Sequence, residues 1–503
     1  MTQRVALDGR SLTPATLDAV GRGQVQLYLC DDARQRMSAS ARWLADHPAD
    51  DVISSKWRWL SDAEPPTEQA ARTRAFVRGH CAGVGDPLPA EVVRALIAAR
   101  ANVLATGQTG CRPEVADALL ALLDHDVVPI VPCQGSVGAA GAAPLAHVAW
   151  VLCGWGGEAW VRGKRRAGPD ALGGLSALVP NDKETLSLIN GATLAAARAA
   201  LTVHRAAQLL DTAEAAAALS FEVVRADLSC LSDEAHTLRQ HPGAVRVASR
   251  LRELLGSSNL CTLGRRPDPF SIRCTPTVIG AARDTLDFVT GVVVRELNAA
   301  CDNPLVIEGV GLVEAGNFHG APVAMAMDHL KVALTQVASI SERRTFRMTY
   351  GQLSGLPSFL LRSSGLNSGL MLAQYTAASL VSECKGLSHP ASVDSLPTVQ
   401  HREDHVSMGP IAADGAWRIA EALADVLAIE LLCGAQGLDF HLAGEAIDEA
   451  GRVVEVPPSV PGDGSLRVWR SVRALVSRWD DDRVLHPDLA ILGTAVRRGD
   501  FVV

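Results

Sequence analysis

The feature that most constrains the fold of this chain is a set of long segments rich in alanine and leucine. One of them, LINGATLAAARAALTVHRAAQLLDTAEAAAALS (188–220), is built largely from the best helix formers. Similar segments cover 321–344, 368–388 and 416–438. Several are apolar on nearly every side, and such helices must be buried in a large core or between subunits. The pattern therefore predicts a bundle of long helices in an oligomeric protein.

Shorter segments agree with a mainly α-helical fold. In EVVRALIAARANVLATG (91–107) the apolar residues share one face, with Pro89 just before the segment and Gly107 at its end. Strand-like alternation is rare, and the best candidates are VVPIVP (127–132) and PLVIEGVGLVEAG (304–316), which is typical of a small hairpin. We therefore expect long helices, a loop-rich N-terminal region and small β-hairpins.

Two clusters of glycine, proline and aspartate suggest boundaries in the chain. They are AGPDALGGLSALVPNDKE (167–184) and EVPPSVPGDGSL (455–466). They predict an N-terminal loop and helix region at 1–180, a central bundle of long helices at 181–455, and a C-terminal helical segment at 456–503.

The amino-acid composition limits the classes of binding partner that we expect. The 503 residues carry a formal charge of −8 without runs of like charge, so nucleic acid and anionic membranes are not expected partners. The N-terminal residues lack the apolar core of a signal peptide. The eleven cysteines form no CxxC pair, which favours free thiols and argues against a structural metal. We expect a cytoplasmic protein without a metal site.

A series of motifs, in order along nearly the whole chain, carries a family resemblance. They include GHCAGVGDPLP (79–89), RANVLATGQTGCRPEV (100–115), ELNAACDNPL (296–305), GNFHGAP (316–322) and EDHVSMGPIAA (403–413). Taken together they resemble the histidine and aromatic amino-acid ammonia-lyases. The resemblance implies an all-α homotetramer whose active sites each draw residues from three chains.

One loop departs from the pattern of that family, which reads GSVGASGDLAPLAH. In the family the Ala-Ser-Gly triad cyclises and dehydrates to an electrophilic methylidene-imidazolone group. Here the loop reads GSVGAAGAAPLAH, with Ala139, Ala140 and Gly141 at the triad and one residue fewer after it. Ala140 has no hydroxyl to lose, and Ser136 is a poor substitute because the stiff, β-branched Val137 follows it. We therefore expect a degenerate loop and no cofactor.

A second departure concerns the tyrosines that the family uses as acid and base groups. The segment DVISSKWRWLSD (51–62) resembles the loop that carries the first tyrosine, and Ile53 stands at that position. Phe270, in DPFSIR, stands at the second. Lys56 and Trp57 replace small residues, and they indicate a lid or a partner surface, with a solvated or interface loop as an equal alternative.

Much of the remaining pocket matches the family. The resemblance implies that Asn190 lies beside the cofactor and substrate, that Arg273 binds the substrate carboxylate, and that Glu403 lies near the amine or side chain of the substrate. An arginine suits a carboxylate because its planar fork stays charged. The candidate catalytic residues are Glu403, His80, His401 and Asn190, and the candidate substrate-binding residues are Arg273, Asn317, Phe318, Arg402, Lys56 and Trp57.

Each of these residues also has a purely structural alternative. Arg273 could form an ion pair, Glu403 could pair within its own motif, and Asn190 could cap a helix. His80 matches the position that sets selectivity in the histidine-specific branch, but on its own it would be a core histidine.

These observations lead to a hypothesis about function. We expect a diverged, lyase-like enzyme that acts without a methylidene-imidazolone on an amino-acid-like substrate with a carboxylate. Its reaction would be an elimination, an addition or a cyclisation by acid–base catalysis, and not ordinary histidine or phenylalanine deamination. The alternative is a non-catalytic member that binds a ligand or assembles with a paralogue.

Overall fold

A computed structural model describes residues 3–47, 68–138, 142–264, 268–362, 367–448 and 451–502. Helices account for 61% and strands for 9%, so the predicted mainly α-helical class is confirmed. The chain packs into two compact units. The first comprises Met1–His204, Thr290–Asp328 and Pro390–Asp414, and the second comprises Arg205–Val289, His329–His389 and Gly415–Val503. The sequence-based division at 180 and 455 stays a prediction.

The N-terminal helices begin with ordinary capping signals. Thr13 accepts a hydrogen bond from the Thr16 amide at the start of the first helix, and Asn181 and Glu184 form a capping box at the start of the seventh. These helices are α1 (Pro14–Gly21), α2 (Asp31–Asp46), α3 (Gln69–His80), α4 (Ala90–Ala105), α5 (Pro113–Asp124), α6 (Ala142–Leu152) and α7 (Asp182–Ile189).

The long helices follow the alanine- and leucine-rich segments with one difference. The segment at 188–220 does not form one helix, because the chain is extended at Asn190 and Gly191 adopts φ +95°, which is left-handed backbone that glycine adopts readily. The remaining helices are α8 (Thr193–Val223), α9 (Asp233–Arg239), α10 (Pro242–Leu255), α11 (Phe270–Arg273), α12 (Thr275–Leu297), α13 (Ala321–Thr349), α14 (Gly351–Ser354), α15 (Met371–Leu387), α16 (Gly409–Ala443), α17 (Asp463–Leu475) and α18 (His486–Arg498).

The strands form small, separate sheets. β8 (Leu305–Ile307) and β9 (Gly311–Val313) are antiparallel, which confirms the hairpin predicted for 304–316. The other strands are β1 (Gln3–Leu7) parallel to β2 (Val25–Leu29), β3 (Val84–Pro87) with β5 (Pro132–Gln134), β4 (Val127–Pro129) with β6 (Glu158–Val161) and β7 (Lys164–Ala167), and β10 (Glu445–Ile447) with β11 (Val453–Glu455).

A buried ion pair ties the long helices of the second unit together. Arg344 on α13 and Glu430 on α16 are both fully buried, and Nε and Nη2 of Arg344 donate to the two carboxylate oxygens. Ser220 on α8 and Ser341 on α13 donate to the same carboxylate. Because every Glu430 oxygen has at least two donors, the carboxylate fixes the register of three helices.

Within the described residues one helical stretch, Asp182–Val223, is long and apolar enough to cross a membrane. Of its most apolar window, 94% is buried inside the protein. Core helices of globular proteins share this composition, so the stretch is weak evidence for a membrane span.

Candidate functional site

Gly138 is the last described residue before the loop at 139–141, and it is held from two sides. Its carbonyl accepts hydrogen bonds from Ser407 Oγ at 2.8 Å and from the Gly320 amide at 3.1 Å. The Met408 amide donates to the Val137 carbonyl at 2.7 Å. The segments that lead into α13 and α16 therefore fix the position at which the loop begins.

Glycines allow these backbones to approach each other, and we call Gly138, Gly320 and Gly409 the glycine cradle. A Cβ atom on Gly138, where φ is +86°, would collide with Ser407 Oγ and lie 2.7 Å from the Gly409 nitrogen. A Cβ on Gly320 would lie 2.9 Å from Ala192 Cβ. Real Cβ atoms do not come this close, so larger residues would push the segments apart.

The cradle brings together the starts of long helices. α13 begins at Ala321, next to Gly320, and α16 begins at Gly409 itself. α8 begins at Thr193, next to Ala192, which lies against Gly320. The first amides of a helix have no partner inside the helix, and its N-terminus carries a partial positive charge. This part of the first unit is therefore suited to stabilising an anion or a developing negative charge.

His80 ends α3, and the turn after it touches the loop region. Nδ1 of His80 lies 2.8 Å from the Phe76 carbonyl oxygen, and the two rings are 4.4 Å apart. A Cβ on Gly135 would lie 3.1 Å from Gly83 Cα, so the segment after His80 packs against the start of the loop. His147 also faces Gly83. Burial lowers the pKa of His147 and so favours the neutral form of its ring.

Asn190 lies between α7 and α8, and its amide is engaged on both sides. Nδ2 donates to Asp302 Oδ1 at 2.9 Å and to the Asn303 carbonyl at 3.1 Å, while Oδ1 accepts from the Gly191 amide at 3.0 Å. The residue is 5% exposed. The structure thus places Asn190 two residues from Ala192, which contacts the glycine cradle.

Phe318 and Asn317 occupy different environments beside the cradle. The Phe318 ring is partly buried and packs with Val137 against Val406 and Met408. Asn317 is exposed, and its Nδ2 atom is 3.5 Å from the Ala300 carbonyl oxygen. Of the two predicted pocket-wall residues, Phe318 therefore packs against the same apolar cluster as Val137, which lies just before the loop.

Glu403 lies in a tightly folded turn. Its Oε2 accepts from Thr398 Oγ1 at 2.8 Å, and its carbonyl accepts from the Thr398 amide. Val399, Gln400 and His401 have φ values of +46°, +52° and +64°. Left-handed backbone in residues other than glycine costs about 1–3 kcal/mol each and concentrates at functional sites. His401 and Arg402 are both exposed at this turn.

Sequence reasoning missed a histidine pair beside these residues. His319 Nε2 and His405 Nδ1 are 3.2 Å apart, and the two rings stack with centroids 5.3 Å apart. Each histidine is within two residues of a group that binds the Gly138 carbonyl. The GNFHG and EDHVSMG motifs contain both residues, but their contact joins positions 86 residues apart and is invisible in either motif alone.

The remaining candidates lie elsewhere. Arg273 belongs to the second unit, where it ends α11, is exposed, and stacks its guanidinium 4.7 Å from the ring centroid of Phe270. The structure therefore groups His80, Asn190, Asn317, Phe318, His401, Arg402 and Glu403 in one unit without Arg273. Lys56, Trp57, Ala139, Ala140 and Gly141, together with Ile53, lie outside the described residues.

Comparison with known proteins identifies the class. The family model described as aromatic amino acid lyase matches residues 12–456. The histidine ammonia-lyase of Anaeromyxobacter sp. (strain K) is 42% identical across 99% of both chains, and that of Caldanaerobacter subterraneus subsp. tengcongensis is 38% identical across 99% of this chain and 97% of its own. The chain belongs to the aromatic amino acid lyase family.

Solved structures agree with this assignment. The crystal structure of histidine ammonia-lyase from Trypanosoma cruzi superposes with a TM-score of 0.89 at 36% identity, covering 99% of this chain and 94% of that one. Tyrosine aminomutase from Streptomyces globisporus gives a TM-score of 0.89 at 30% identity, with coverage of 99% and 98%. The expected ammonia-lyase fold is thereby confirmed, and the family is typically oligomeric.

The same comparisons overturn the functional hypothesis drawn from the loop. We expected a diverged enzyme, or alternatively a non-catalytic member, that is not an ordinary histidine or phenylalanine ammonia-lyase. That expectation is wrong, because relatives about 40% identical over their full length are named histidine ammonia-lyase. The departures are local, at the Ala140 loop and at Ile53, whereas the similarity extends over 99% of the chain.

The expectation of no cofactor is contradicted as well, since the family uses a methylidene-imidazolone formed from an Ala-Ser-Gly motif. At the start of the loop, the glycine cradle allows the backbone segments to pack closely. The side chains of Ala139, Ala140 and Gly141 do not fit the serine chemistry, because none carries a hydroxyl. The side chains that the chain does carry are therefore the basis of the reaction proposed for it.

Proposed function

We propose that this chain is a histidine ammonia-lyase, which eliminates ammonia from L-histidine and leaves an α,β-unsaturated acid. The observation that carries the proposal is 42% identity across 99% of both chains with a relative of that name. His80 supports it, because this residue matches the selectivity position of the histidine-specific branch and its turn packs against the loop region.

In this proposal His80 recognises the imidazole of the substrate. Its Nδ1 atom donates to the Phe76 carbonyl at 2.8 Å, which leaves Nε2 as an acceptor in the neutral ring. Nε2 can then accept the N–H of a substrate imidazole. Arg273 is proposed to bind the substrate carboxylate through its guanidinium fork from another chain of the oligomer, as the family resemblance implies, and Phe318 forms an apolar wall.

Elimination breaks the Cβ–H and Cα–N bonds and forms the Cα=Cβ double bond, so it requires a base that takes the β-proton while the nitrogen leaves as ammonia. Glu403 accepts a hydrogen bond from Thr398 on Oε2, so its carboxylate is oriented and can hold the substrate ammonium or take a proton. His401 and Arg402 lie in the same turn and are proposed to assist with proton transfer and binding. The helix starts around the glycine cradle stabilise negative charge that develops as the proton leaves.

We also propose a cytoplasmic homotetramer whose sites draw residues from three chains, as the family resemblance implies. Large apolar side chains on the long helices support the assembly, since Met325, Tyr375 and Phe288 are 66%, 64% and 57% exposed in the single chain. Apolar surface of this kind is typical of faces that another subunit covers.

The test is ammonia release from L-histidine, L-phenylalanine and L-tyrosine by the purified full-length protein, with products identified by mass spectrometry. We expect L-histidine to be the best substrate and the Glu403→Gln and Arg273→Gln variants to lose at least about 100-fold in kcat/KM. Arg452→Gln is the control, because the side chain of Arg452 is 79% exposed and its ion pair is with Asp448, four residues earlier in the chain. Failure of the folded oligomer to release ammonia from L-histidine refutes the proposal.

The same product analysis separates elimination from amino-group migration. The aminomutase match at 30% identity makes a β-amino acid the product to look for. Ammonia release in a one-to-one ratio with the unsaturated acid supports a lyase, whereas a β-amino acid as the main product contradicts it.

A further inference from the structure

A buried group of charges lies next to Asn190 and takes no part in the proposed elimination. Asp302 is fully buried and faces two buried cations. Lys183 Nζ donates to Asp302 Oδ2 at 2.9 Å, and Arg100 Nη2 lies 3.7 Å from Oδ1. Ser187 adds a hydrogen bond to Oδ2 at 2.6 Å. We call Arg100, Lys183, Ser187 and Asp302 the Asp302 cluster.

Stability alone does not explain such a cluster. Removing charges from water costs several kcal/mol per ion, and apolar residues of similar volume are often equally stabilising. Burial by itself would raise the pKa of Asp302, but Lys183 and Arg100 outweigh burial and hold the pKa below its ordinary value. The cluster thus keeps a full negative charge on Asp302 inside the protein.

The charge is directed at the Asn190 side chain. Asp302 Oδ1 and the Asn303 carbonyl both accept from Asn190 Nδ2, so the amide nitrogen must face them. The amide oxygen then faces away, where it accepts from the Gly191 amide at 3.0 Å. This amide oxygen has a second lone pair that can accept another hydrogen bond. Because Nδ2 of the same amide donates to a carboxylate, the electron density on the amide oxygen increases.

Arg100 secures the backbone of the same residue. Its Nη1 atom donates to the Asn190 carbonyl at 2.8 Å and to the Cys301 carbonyl at 3.1 Å, which joins the start of α8 to the segment that carries Asp302. Gly191 permits this approach, because a Cβ there would lie 2.5 Å from the Cys301 carbonyl oxygen. Main chain and side chain of Asn190 are therefore both held by one buried cluster.

We propose that Asp302, kept charged by Lys183 and Arg100, is a positioning residue that acts through Asn190 by fixing its amide oxygen as the acceptor presented to the substrate. This inference rests on the proposed function of the site. It assigns no chemical step to Asp302, which touches Asn190 and not the substrate.

The activity test uses variants that leave the net charge of the cluster unchanged. The double variant Asp302→Leu with Lys183→Met removes both acceptors on Asp302 and one cation, with side chains of similar shape. We expect kcat to fall about 10- to 100-fold with KM within about threefold. Asp302→Asn with Lys183→Met retains one acceptor and is expected to recover part of the loss; it also takes the place of the leucine variant if that one does not fold.

The decisive comparison is made in an Asn190→Ala background. If Asp302 acts only through Asn190, adding either double variant to Asn190→Ala causes no further loss of kcat. A further loss of more than about threefold, or wild-type kcat in both double variants, overturns the proposal.

A second measurement does not depend on enzymatic activity. Hydrogen exchange of the Gly191 amide reports on its bond to Asn190 Oδ1, so we expect about tenfold faster exchange in the charge-balanced variants. Glu430→Gln is the control, because it disturbs a fully buried ion pair with Arg344 that makes no contact with Asn190. Unchanged Gly191 exchange contradicts the positioning role, whereas absent ammonia release with changed exchange contradicts only the proposed function.

Discussion

Replacing Gly138 by alanine tests whether the glycine cradle sets the geometry of the site. Gly138 has φ +86°, and a Cβ there would collide with Ser407 Oγ and lie 2.7 Å from the Gly409 nitrogen. The serine side chain can rotate, but the Gly409 nitrogen is backbone and cannot move without shifting the start of α16. The substitution must therefore either distort the cradle or break the contacts of the Gly138 carbonyl.

The expected magnitude has two parts. Left-handed backbone costs an alanine about 1–2 kcal/mol relative to glycine. Forcing an extra methyl group into a packed interior costs about 1–3 kcal/mol more. We therefore expect Gly138→Ala to lower the free energy of unfolding by about 2–5 kcal/mol. Gly163→Ala is the matched control: φ is +74°, and nothing lies within 4 Å of its Cβ, so only the first part applies.

Urea denaturation followed by circular dichroism measures both variants beside the wild type, and ammonia release from L-histidine is measured on the same samples. We expect Gly138→Ala to unfold at clearly lower urea than Gly163→Ala and to lose at least about tenfold in kcat, because the loop start is displaced. The reasoning is refuted if the two variants differ by less than about 0.5 kcal/mol and both keep full activity.

Three further predictions concern stability and pH. Glu430→Gln leaves the fully buried Arg344 without its carboxylate, so denaturation should show a loss of about 3–5 kcal/mol, and a loss below 1 kcal/mol would contradict this. Burial lowers the pKa of His441 to about 4 in the folded protein, whereas in the unfolded chain the histidine has its ordinary pKa of 6.5. Between these values the unfolded chain binds a proton that the folded protein does not. Stability is therefore present above about pH 6.5 and should fall by about 3 kcal/mol as the pH drops toward 4. In His441→Gln that part of the slope should vanish, and an unchanged pH profile of thermal unfolding would count against it. Ser407→Ala removes one donor to the Gly138 carbonyl and should cost about 1 kcal/mol in the same urea assay, and an unchanged urea midpoint would contradict this.

Much of the fold could be predicted from local sequence patterns. The apolar face and flanking Pro89 and Gly107 predicted α4, and the hairpin at 304–316 was found as β8 and β9. The break between α7 and α8 was not predicted, because alanine and leucine favour a helix on both sides of it. Tertiary contacts decide the break, since Gly191 must pass close to the Cys301 carbonyl oxygen.

The site was accessible only in part. Motifs predicted His80, Asn190 and Glu403 as site residues, and these stay predictions; they did not indicate the Lys183–Asp302 pair, which joins positions 119 residues apart. The functional hypothesis failed for a related reason: it treated the substitution at Ala140 as decisive, although the chain shares about 40% of its residues over its whole length with proteins named histidine ammonia-lyase.

The electrostatic character of the site follows from where helices begin. α8, α13 and α16 start at Thr193, Ala321 and Gly409, and the cradle glycines let their first turns approach one another. Each start contributes amides without intrahelical partners and a partial positive charge, so one region collects several of them. Such a region stabilises negative charge whatever group generates it, while nearby side chains decide substrate and product. This separation accounts for one scaffold serving relatives named as ammonia-lyases and as aminomutases, and we expect selectivity to lie in side chains, with His80 as the proposed example.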